Sequence, residues 1–220
     1  MTILGVTPAR GGSKRLPGKN LRLLCGTPLI AWTIEAAKES RRLSRYVVST
    51  EDPKIAVVSR QWGVEVIDRP AALATDDATT LSVVQHVLTL IPAEIVVLLQ
   101  ATSPIRDEQL IDRCIERFLV TQPDSLATGF ICRFTPYGSG LRQQRRQEVP
   151  GFFCDDGNIY IVRADLIRQG DWFGTRIERM ILDRAQNMDI DEEFDFWVAE
   201  RVLERRLHPR LGHHAEPMPR

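Results

Sequence analysis

The amino-acid sequence predicts an α/β fold with a doubly wound, mostly parallel sheet. Three observations support this fold class. Strand and helix patterns alternate through roughly the first 130 residues, as in repeated β–α units. Residues 95–99 form a continuous apolar run, which is typical of a central parallel strand covered on both faces. A basic, glycine-rich loop directly follows the first apolar run, at residues 3–6, as expected for a strand that delivers a ligand-binding loop to a sheet edge.

Apolar and β-branched runs indicate the predicted strands, and amphipathic runs of helical period indicate the predicted helices. The strands are placed at residues 3–6, 46–50, 64–67, 95–99, 125–131 and 159–162. The helices are placed at residues 28–38, 52–62, 79–90, 107–121 and 192–206. Pro28 suits a first helical turn, and Asp52 before Pro53 is the expected cap of the second helix. In the last helix, five residues have core-facing spacing: Phe194, Trp197, Val198, Arg201 and Val202.

The regular alternation stops after residue 131. Residues 133–151 are rich in glycine, glutamine and arginine, and we predict a loop or hairpin that projects from the core. Residues 207–220 contain several prolines and histidines and are predicted to form a disordered tail. We therefore expect one domain over residues 1–206, with a small projecting insert at about 133–160.

The overall composition limits the classes to which this protein can belong. Lys plus Arg and Asp plus Glu both number 29, so the net charge is zero, whereas nucleic-acid binders usually carry a basic excess. No apolar run reaches membrane-spanning length, and no signal peptide precedes residue 3. The four cysteines are widely spaced, without a C-x-x-C pair that would suit zinc. We expect no nucleic-acid partner, no membrane partner and a reducing, cytoplasmic location.

The loop at residues 8–20 concentrates positive charge around two adjacent glycines. Arg10, Lys14, Arg15 and Lys19 provide four positive charges within ten residues. Glycines let the backbone approach an anion closely, and exposed N–H groups can bind it. The glycine spacing matches neither a P-loop nor a dinucleotide-binding fingerprint, and a basic surface turn is the alternative interpretation. We favour phosphate binding because this density of charge suits a triphosphate.

Three segments that are distant in the sequence are expected to meet, because ligand sites in parallel sheets lie beyond the carboxyl ends of the strands. They are the loop at 9–20, the loop at 68–80 and the turn at 100–106. Gln100 directly follows a buried strand, and its amide can both donate to and accept from a nucleobase edge. Capping of backbone groups at the end of the sheet is an equally good interpretation of Gln100.

A pair of aspartates near the end of the chain is the second informative feature. In an extended segment Asp189 and Asp191 would share a face, and two adjacent like charges are costly unless a cation lies between them. Mg²⁺ suits carboxylate oxygens and keeps positions for substrate phosphates, with Mn²⁺ as the alternative metal. Asp191 could also cap the last helix. Together with the cationic loop, the pair indicates phosphoryl or nucleotidyl transfer.

Seven segments together resemble the acylneuraminate cytidylyltransferases, also called CMP-sialic acid synthetases, and more distantly the CMP-Kdo synthetases. They are PARGGSKRLPGKN (8–20), GTPLIAWTIEAA (26–37), VVSTED (47–52), RPAALATDDATT (69–80), LLQATSPIR (98–106), RRQ (145–147) and DIDEEFDF (189–196). The resemblance covers roughly residues 2–206. It implies a Rossmann-like nucleotidyltransferase fold and a homodimer. It also implies a reaction of CTP with a nonulosonic sugar acid, dependent on Mg²⁺, that gives the CMP-sugar and pyrophosphate.

The resemblance implies roles for individual residues as well. The implied catalytic residues are Arg10, Lys19, Asp189 and Asp191, the last two as metal ligands. The implied nucleotide contacts are Arg10, Gly11, Ser13, Lys14, Lys19, Asn20, Arg69, Thr79, Thr80 and Gln100. The implied sugar contacts are Gln100, Thr102, Ser103, Arg146, Gln147, Asn158 and Tyr160. The insert would mediate dimerisation and complete the sugar pocket of the neighbouring subunit.

This chain departs from the family pattern in the insert. The insert is short, and Asp156-Gly157-Asn158 stands where the family commonly has Asn-Gly-Ala. The acceptor therefore stays open among N-acetylneuraminate, legionaminate, pseudaminate and related acids. A CMP-Kdo-type synthetase or another sugar nucleotidyltransferase is a second hypothesis, and a non-catalytic nucleotide-binding module is a third.

Overall fold

A seven-stranded sheet lies at the centre of the protein in a computed structural model that describes residues 1–134, 145 and 148–207. The strands are β1 (Ile3–Pro8), β2 (Leu23–Leu24), β3 (Thr27–Pro28), β4 (Arg45–Thr50), β5 (Glu65–Asp68), β6 (Ile95–Leu99), β7 (Ser125–Cys132), β8 (Phe152–Arg163) and β9 (Ile177–Ile181). The helices are α1 (Leu29–Glu39), α2 (Pro53–Gln61), α3 (Thr80–Leu90), α4 (Leu110–Thr121), α5 (Ala164–Gln169) and α6 (Glu193–Leu207).

The strand order of the large sheet is β5-β4-β1-β6-β8-β7-β9. Neighbouring strands run parallel except at β8, which pairs antiparallel with both β6 and β7. The order β5-β4-β1-β6 is that of one half of a doubly wound nucleotide-binding sheet. The predicted fold class is therefore confirmed. Because β1, β4 and β6 are parallel, their carboxyl ends lie at one edge of the sheet.

Helices cover both faces of the sheet because successive side chains of a strand point to opposite faces. On one face Val97 and Leu99 of β6 pack in a cluster with α4, and on the other Val96 and Leu98 pack in a cluster with α3 and α5. All four side chains are buried. A strand that is covered in this way needs apolar residues at every position, which explains its continuous apolar run.

Most predicted elements lie within a few residues of their predicted bounds, and the differences have local causes. Helix α4 begins at Leu110 rather than 107, after Gln109 in a left-handed conformation with φ 60°. Strand β8 begins at Phe152 rather than 159, because it pairs with β7 as far as Cys132. The β2–β3 hairpin, α5 and β9 were not predicted. Within the predicted tail only Leu207 is described, as the last residue of α6, so the tail prediction lies outside the described residues.

The predicted core face of α6 was wrong for its aromatic residues. Phe194 and Trp197 are 67% and 56% exposed, whereas Phe196, Ala199 and Leu203 form the buried stripe. Both sets have helical spacing, so periodicity alone does not choose between them. The rotation of the helix is set by contacts with an earlier segment. Arg22 forms an ion pair with Glu193 and lies over the ring of Phe196, 4.5 Å from its centroid.

Candidate active site

A polar cavity of about 610 Å³ lies at the sheet edge formed by the carboxyl ends of β1 and β6. The loop after β1, the loop after β5, the turn after β6 and the acidic segment before α6 all contribute to its wall. The residues of predicted function that line it are Arg10, Ser13, Lys14, Lys19, Asn20, Arg69, Thr80, Gln100, Thr102 and Asp191. The structure therefore brings together segments that lie far apart in the sequence.

A carboxylate at the end of β4 shapes the first turn of the loop. Glu51 accepts a hydrogen bond from the backbone N–H of Gly11 at 2.8 Å and forms an ion pair with Arg69. A Cβ atom on Gly11 would lie 2.2 Å from the carboxylate of Asp52, so only glycine lets the loop pass so close. Further along, the buried amide of Asn20 donates to the carbonyl of Arg10 at 3.0 Å. Arg69 and Asn20 thus support the shape of the loop from the protein side.

The environment of Glu51 holds it in its ionised form. Burial acts to raise the pKa of Glu51, but the hydrogen bonds from Arg69 and from Gly11 outweigh it and leave the pKa below its ordinary value. Arg69 is itself 7% exposed, so the pair is largely shielded from water. Glu51 was not among the predicted residues. Its position directly after a strand of the ligand-binding edge is the signal that could have identified it.

The four cations of the loop are all paired with two aspartates. Asp76 pairs with Arg10 at 3.0 Å and with Lys14, and Asp191 pairs with Lys19 at 3.3 Å and with Arg15 at 3.8 Å. Lys19 also donates to the carbonyl of Ile190. The positive loop is thereby held to the β5 loop on one side and to the acidic segment on the other.

The acidic segment is an extended strip that is fixed to the turn after β6. The backbone N–H of Ile190 donates to the carbonyl of Thr102 at 2.9 Å, and the Ile190 side chain is fully buried. Its neighbours Asp189 and Asp191 both reach the surface, although protein atoms crowd around the carboxylate of Asp189 and keep part of the water away from it. The carboxylate of Asp191 pairs with Lys19 and Arg15 rather than with the first turn of α6, where Asp195 accepts from the backbone N–H groups of Asp191 and Glu192 at 3.0 Å each.

Asp189 has an unfavourable environment for its negative charge. Burial raises the pKa of Asp189, and the neighbouring charge of Asp191 adds to this, although hydrogen bonding to Thr102 and the charge of Lys19 act in the opposite direction. The carboxylate also lies close to Gly157, which has φ 72° and whose Cβ would be 3.3 Å from one oxygen of Asp189. The backbone conformation favours glycine there, and a Cβ would also push against the carboxylate of Asp189.

These two carboxylates fit a divalent cation by their chemistry. They are hard oxygen donors, and a bound cation would offset both the burial that raises the pKa of Asp189 and the smaller repulsion from Asp191. Among the described residues, no group of three or more His, Cys, Asp or Glu side chains is arranged to hold a metal. A Mg²⁺ ion held here would thus depend on substrate oxygens and water to complete its coordination.

The predicted base-binding residues divide into two groups. Gln100 and Thr80 line the cavity, and the Gln100 carbonyl accepts from Thr33 at 3.2 Å and from Arg106 at 3.0 Å. Thr79 instead caps α3, since its hydroxyl accepts from the backbone N–H of Ser82 at 3.1 Å. These two bonds fix the backbone of Gln100 at the cavity wall.

Only some of the predicted sugar contacts lie where a ligand could reach them. Thr102 lines the cavity, but Ser103 and Asn158 are fully buried, so a direct contact of their side chains with a ligand does not fit. The amide of Asn158 instead donates to the carbonyls of Ile105 and Gln186 at 3.3 and 3.2 Å, beneath the turn. The Tyr160 hydroxyl donates to Asp155 at 2.5 Å. Arg146 and Gln147 lie outside the described residues.

Arg106 is a further residue that supports the site and was not predicted. Its guanidinium donates to the hydroxyl of Thr33 at 2.9 Å and to the carbonyls of Gln100 and Asn158 at 3.0 Å each. Burial lowers the pKa of Arg106 to about 10. The side chain therefore joins α1, the turn after β6 and β8 below the cavity.

Comparison with known proteins gives one family match and several similar chains. The family model described as "Cytidylyltransferase" matches residues 4–140. A CMP-N,N'-diacetyllegionaminic acid synthase from Legionella pneumophila is 34% identical, over 93% of this chain and 97% of that protein. A post-translational flagellin modification protein B from Campylobacter coli is 30% identical, over 93% of this chain and 96% of that protein. An N-acylneuraminate cytidylyltransferase from Escherichia coli is 27% identical, over 95% of this chain and 54% of that protein.

Similarity to solved structures supports the same architecture. A CMP:2-keto-3-deoxy-manno-octonic acid synthetase, solved in complex with CTP, has a TM-score of 0.75 at 17% identity and covers 94% of this chain. A cytidylyltransferase from Leptospira borgpetersenii has a TM-score of 0.66, also at 17% identity, and covers the whole of both chains. At this identity the likeness shows the fold alone.

Proposed function

The chain belongs to the cytidylyltransferase family, and from this premise we propose that it transfers CMP from CTP to the anomeric hydroxyl of a nonulosonic, sialic-type acid and releases pyrophosphate. One observation carries the proposal. The cationic loop and Asp191 line the same cavity as Gln100, so that triphosphate-binding, metal-binding and base-reading groups surround one space. A cavity of about 610 Å³ is within the size range of ligand sites.

The nucleotide is assigned to the loop side of the cavity. Arg10, Lys14 and Lys19 would bind the triphosphate, because charge-assisted hydrogen bonds to phosphate are strong. Ser13 and the backbone at Gly11 would add donors on the same side. Gln100 and Thr80 would contact the base, with Arg69 and Asn20 supporting the loop beneath it.

Asp189 and Asp191 would hold Mg²⁺, or Mn²⁺ in its place. When bound, the ion would offset negative charge on the phosphates and lower the pKa of a hydroxyl beside it. The side chains of the loop would meanwhile hold the phosphates in place. Lys19 belongs to the loop and contacts Asp191 and the carbonyl of Ile190, so it would keep the phosphates aligned with the acidic segment.

The reaction exchanges one phosphorus–oxygen bond for another. The oxygen of the anomeric hydroxyl forms a bond to the α-phosphorus and gives up its proton to water, and the bond from that phosphorus to the oxygen bridging to the β-phosphate breaks. Negative charge then accumulates on pyrophosphate. Arg10 and Lys14 are positioned to stabilise that charge, because donors arranged in advance need no reorganisation during the reaction.

The acceptor is assigned from the relatives rather than from the cavity. Two of them are named for a diacetyllegionaminic acid and for an acylneuraminate, both nonulosonic acids. Thr102 and Gln100 would contact the sugar from this chain, with Tyr160 nearby on β8. Arg146 and Gln147 are proposed to bind the sugar carboxylate.

A homodimer in the cytoplasm completes the proposal. Apolar side chains are exposed beside the end of β7, among them Phe152 of β8 at 58% and Ile181 of β9 at 61%. An apolar patch of this kind favours an interface between subunits. All four cysteines are free thiols, which supports a reducing compartment. Among the described residues, no helix is both long and apolar enough to cross a membrane.

The proposal is tested by product identification. The purified protein is incubated with CTP and Mg²⁺ and a panel that includes N-acetylneuraminate, legionaminate, pseudaminate and Kdo, and the products are identified by mass spectrometry. We expect a CMP-sugar with a nonulosonic acid and pyrophosphate release only when that acid is present. Product with Kdo alone would instead indicate a CMP-Kdo-type synthetase. CTP binding without turnover on the full panel would favour a non-catalytic module, and the same panel with ATP, GTP and UTP tests the base.

A further inference from the structure

Asp76 lies across the cavity from the cationic loop and holds two of its four cations. One carboxylate oxygen pairs with Arg10 at 3.0 Å, and the other pairs with Lys14. Arg10 donates as well to the carbonyl of the neighbouring Thr75 at 3.4 Å. All three charged side chains line the same cavity. The carboxylate of Asp76 is therefore paired with two cations that are suited to bind phosphate.

The charge on Asp76 is permanent at neutral pH. Its hydrogen bond with Lys14, opposed by slight burial and supported by Arg10, lowers the pKa of Asp76 below its ordinary value. The side chain is nevertheless 48% exposed, and Lys14 is 75% exposed. Ion pairs that are this exposed contribute little to stability, so a ligand with several negative charges can displace them.

We propose that Asp76 is an internal competitor of the polyphosphate, and that it sets how tightly the site holds CTP and pyrophosphate. When a triphosphate enters, Arg10 and Lys14 exchange the carboxylate for phosphate oxygens. When pyrophosphate leaves, Asp76 pairs with the same two cations again. Arg10 and Lys14 are thus never left as unpaired charges, and product release is easier than it would be from an uncompensated site. The inference rests on the proposed function, because it takes a polyphosphate as the ligand.

The chain provides a matched control beside Asp76. Asp77 has the same charge and is exposed, but its side chain makes no hydrogen bond or ion pair with the part of the chain that the structure describes. Asp76→Asn and Asp77→Asn therefore change the net charge equally, and only the first removes the contact with the loop cations. A difference between the two variants reports the contact and not the overall charge.

The test is the affinity for pyrophosphate alone, measured by titration calorimetry with the full chain. We expect Asp76→Asn to bind pyrophosphate about three- to tenfold more tightly, because one opposing charge next to two cations is removed in mostly aqueous surroundings. Its binding should also depend more steeply on salt. Asp77→Asn should match the wild type. Equal affinity in the two variants would overturn the inference, and so would weaker binding in Asp76→Asn, which would mean that Asp76 positions the cations or binds a metal.

The same measurement separates this inference from the proposed function. If the wild type binds neither pyrophosphate nor CTP, the assignment of the cavity to a nucleotide fails. If the wild type binds both and the two asparagine variants behave alike, only the role of Asp76 fails. Thermal unfolding of the variants checks that each remains folded.

Discussion

Lys19 is the most enclosed of the four loop cations. Its side chain is 11% exposed, whereas those of Lys14 and Arg15 are 75% and 76% exposed. It contacts the carbonyl of Ile190 and the carboxylate of Asp191, so it links the amino-terminal loop to the acidic segment. A charge held in this way keeps its position when the ligand is absent.

We predict that Lys19→Ala raises the KM for CTP more than Lys14→Ala does. A charge-assisted hydrogen bond contributes about 1.5–3 kcal/mol, which corresponds to a loss of kcat/KM of about ten- to hundredfold. Lys14 is exposed and has more freedom, so its loss should have a smaller effect. Steady-state kinetics with varied CTP measures both, and equal effects would contradict the special position of Lys19.

Asp189 leads to a prediction about stability and pH. Its pKa is raised by burial and by Asp191, so the folded protein binds the proton more tightly than the unfolded chain does. The stability that this contributes is present below the unfolded pKa of about 3.9, and it is lost as the pH rises through the higher folded pKa. At neutral pH the ionised carboxylate therefore destabilises the metal-free protein.

Asp189→Asn should accordingly raise the Tm of the metal-free protein at pH 7, while it lowers turnover. The gain should shrink as the pH falls toward the pKa, where the wild-type carboxyl becomes protonated. Asp183→Asn, at an exposed position in the turn after β9, should leave the Tm unchanged. Differential scanning calorimetry over a pH series, with and without Mg²⁺, is the measurement. A variant that is less stable than the wild type at pH 7 would contradict the assigned environment.

At the scale of elements, α6 determines where the acidic segment lies. Phe196 of α6 packs in one cluster with Leu24, Ile105 and Ile190. Ile190 stands between the two aspartates, so the packing of this helix positions the carboxylates against the loop. Arg22 also contacts Glu193 and the Phe196 ring, so it helps to hold the start of α6 in place.

Two phenylalanines of α6 provide a direct test of which face is buried. Phe196→Ala should destabilise the protein by about 3–5 kcal/mol, because it removes a buried ring and leaves a cavity. Phe194→Ala changes the same residue type at a position that is 67% exposed, and we expect a change within about 0.5 kcal/mol. Urea unfolding of the two variants measures the difference. Similar losses would show that the helix is rotated from the orientation described.

At the scale of the whole molecule, apolar side chains are exposed at one end of the sheet. Phe130, Cys132, Ile181 and Leu182 contribute to an apolar cavity of about 1010 Å³ between the ends of β7 and β9. The edge strand β9 has no further strand beside it among the described residues, which leaves this end available to a second subunit.

Ile181→Asp should therefore convert the proposed dimer into a monomer, because a charge in an apolar interface is costly. Val120→Asp is the control, since Val120 is 81% exposed on α4. Sedimentation velocity at several concentrations gives the oligomeric state. If both variants form dimers of equal stability, the interface does not include Ile181. If the wild type is a monomer, the proposed dimer is wrong.

Sequence reasoning succeeded where the signal is local. The apolar run of β6, the Asp52-Pro53 start of α2 and the alternation of strands with helices depend on short spacings, and the structure reproduces them. It was wrong for Phe194 and Trp197, because two faces of α6 have the same period. It also assigned Ser103 and Asn158 to the sugar, although their burial beneath the turn gives them a supporting place.

The sequence by itself determined the fold class, the strands β1, β4, β5 and β6 and the positive loop that follows β1, because strand periodicity and the alternation of strands with helices are recorded in neighbouring residues. Only the tertiary structure decided which carboxylate meets which cation. Lys19 and Asp191 are 172 positions apart, and Arg10 and Asp76 are 66 positions apart. Such pairs depend on the packing of whole elements against one another, and no spacing along the chain records it.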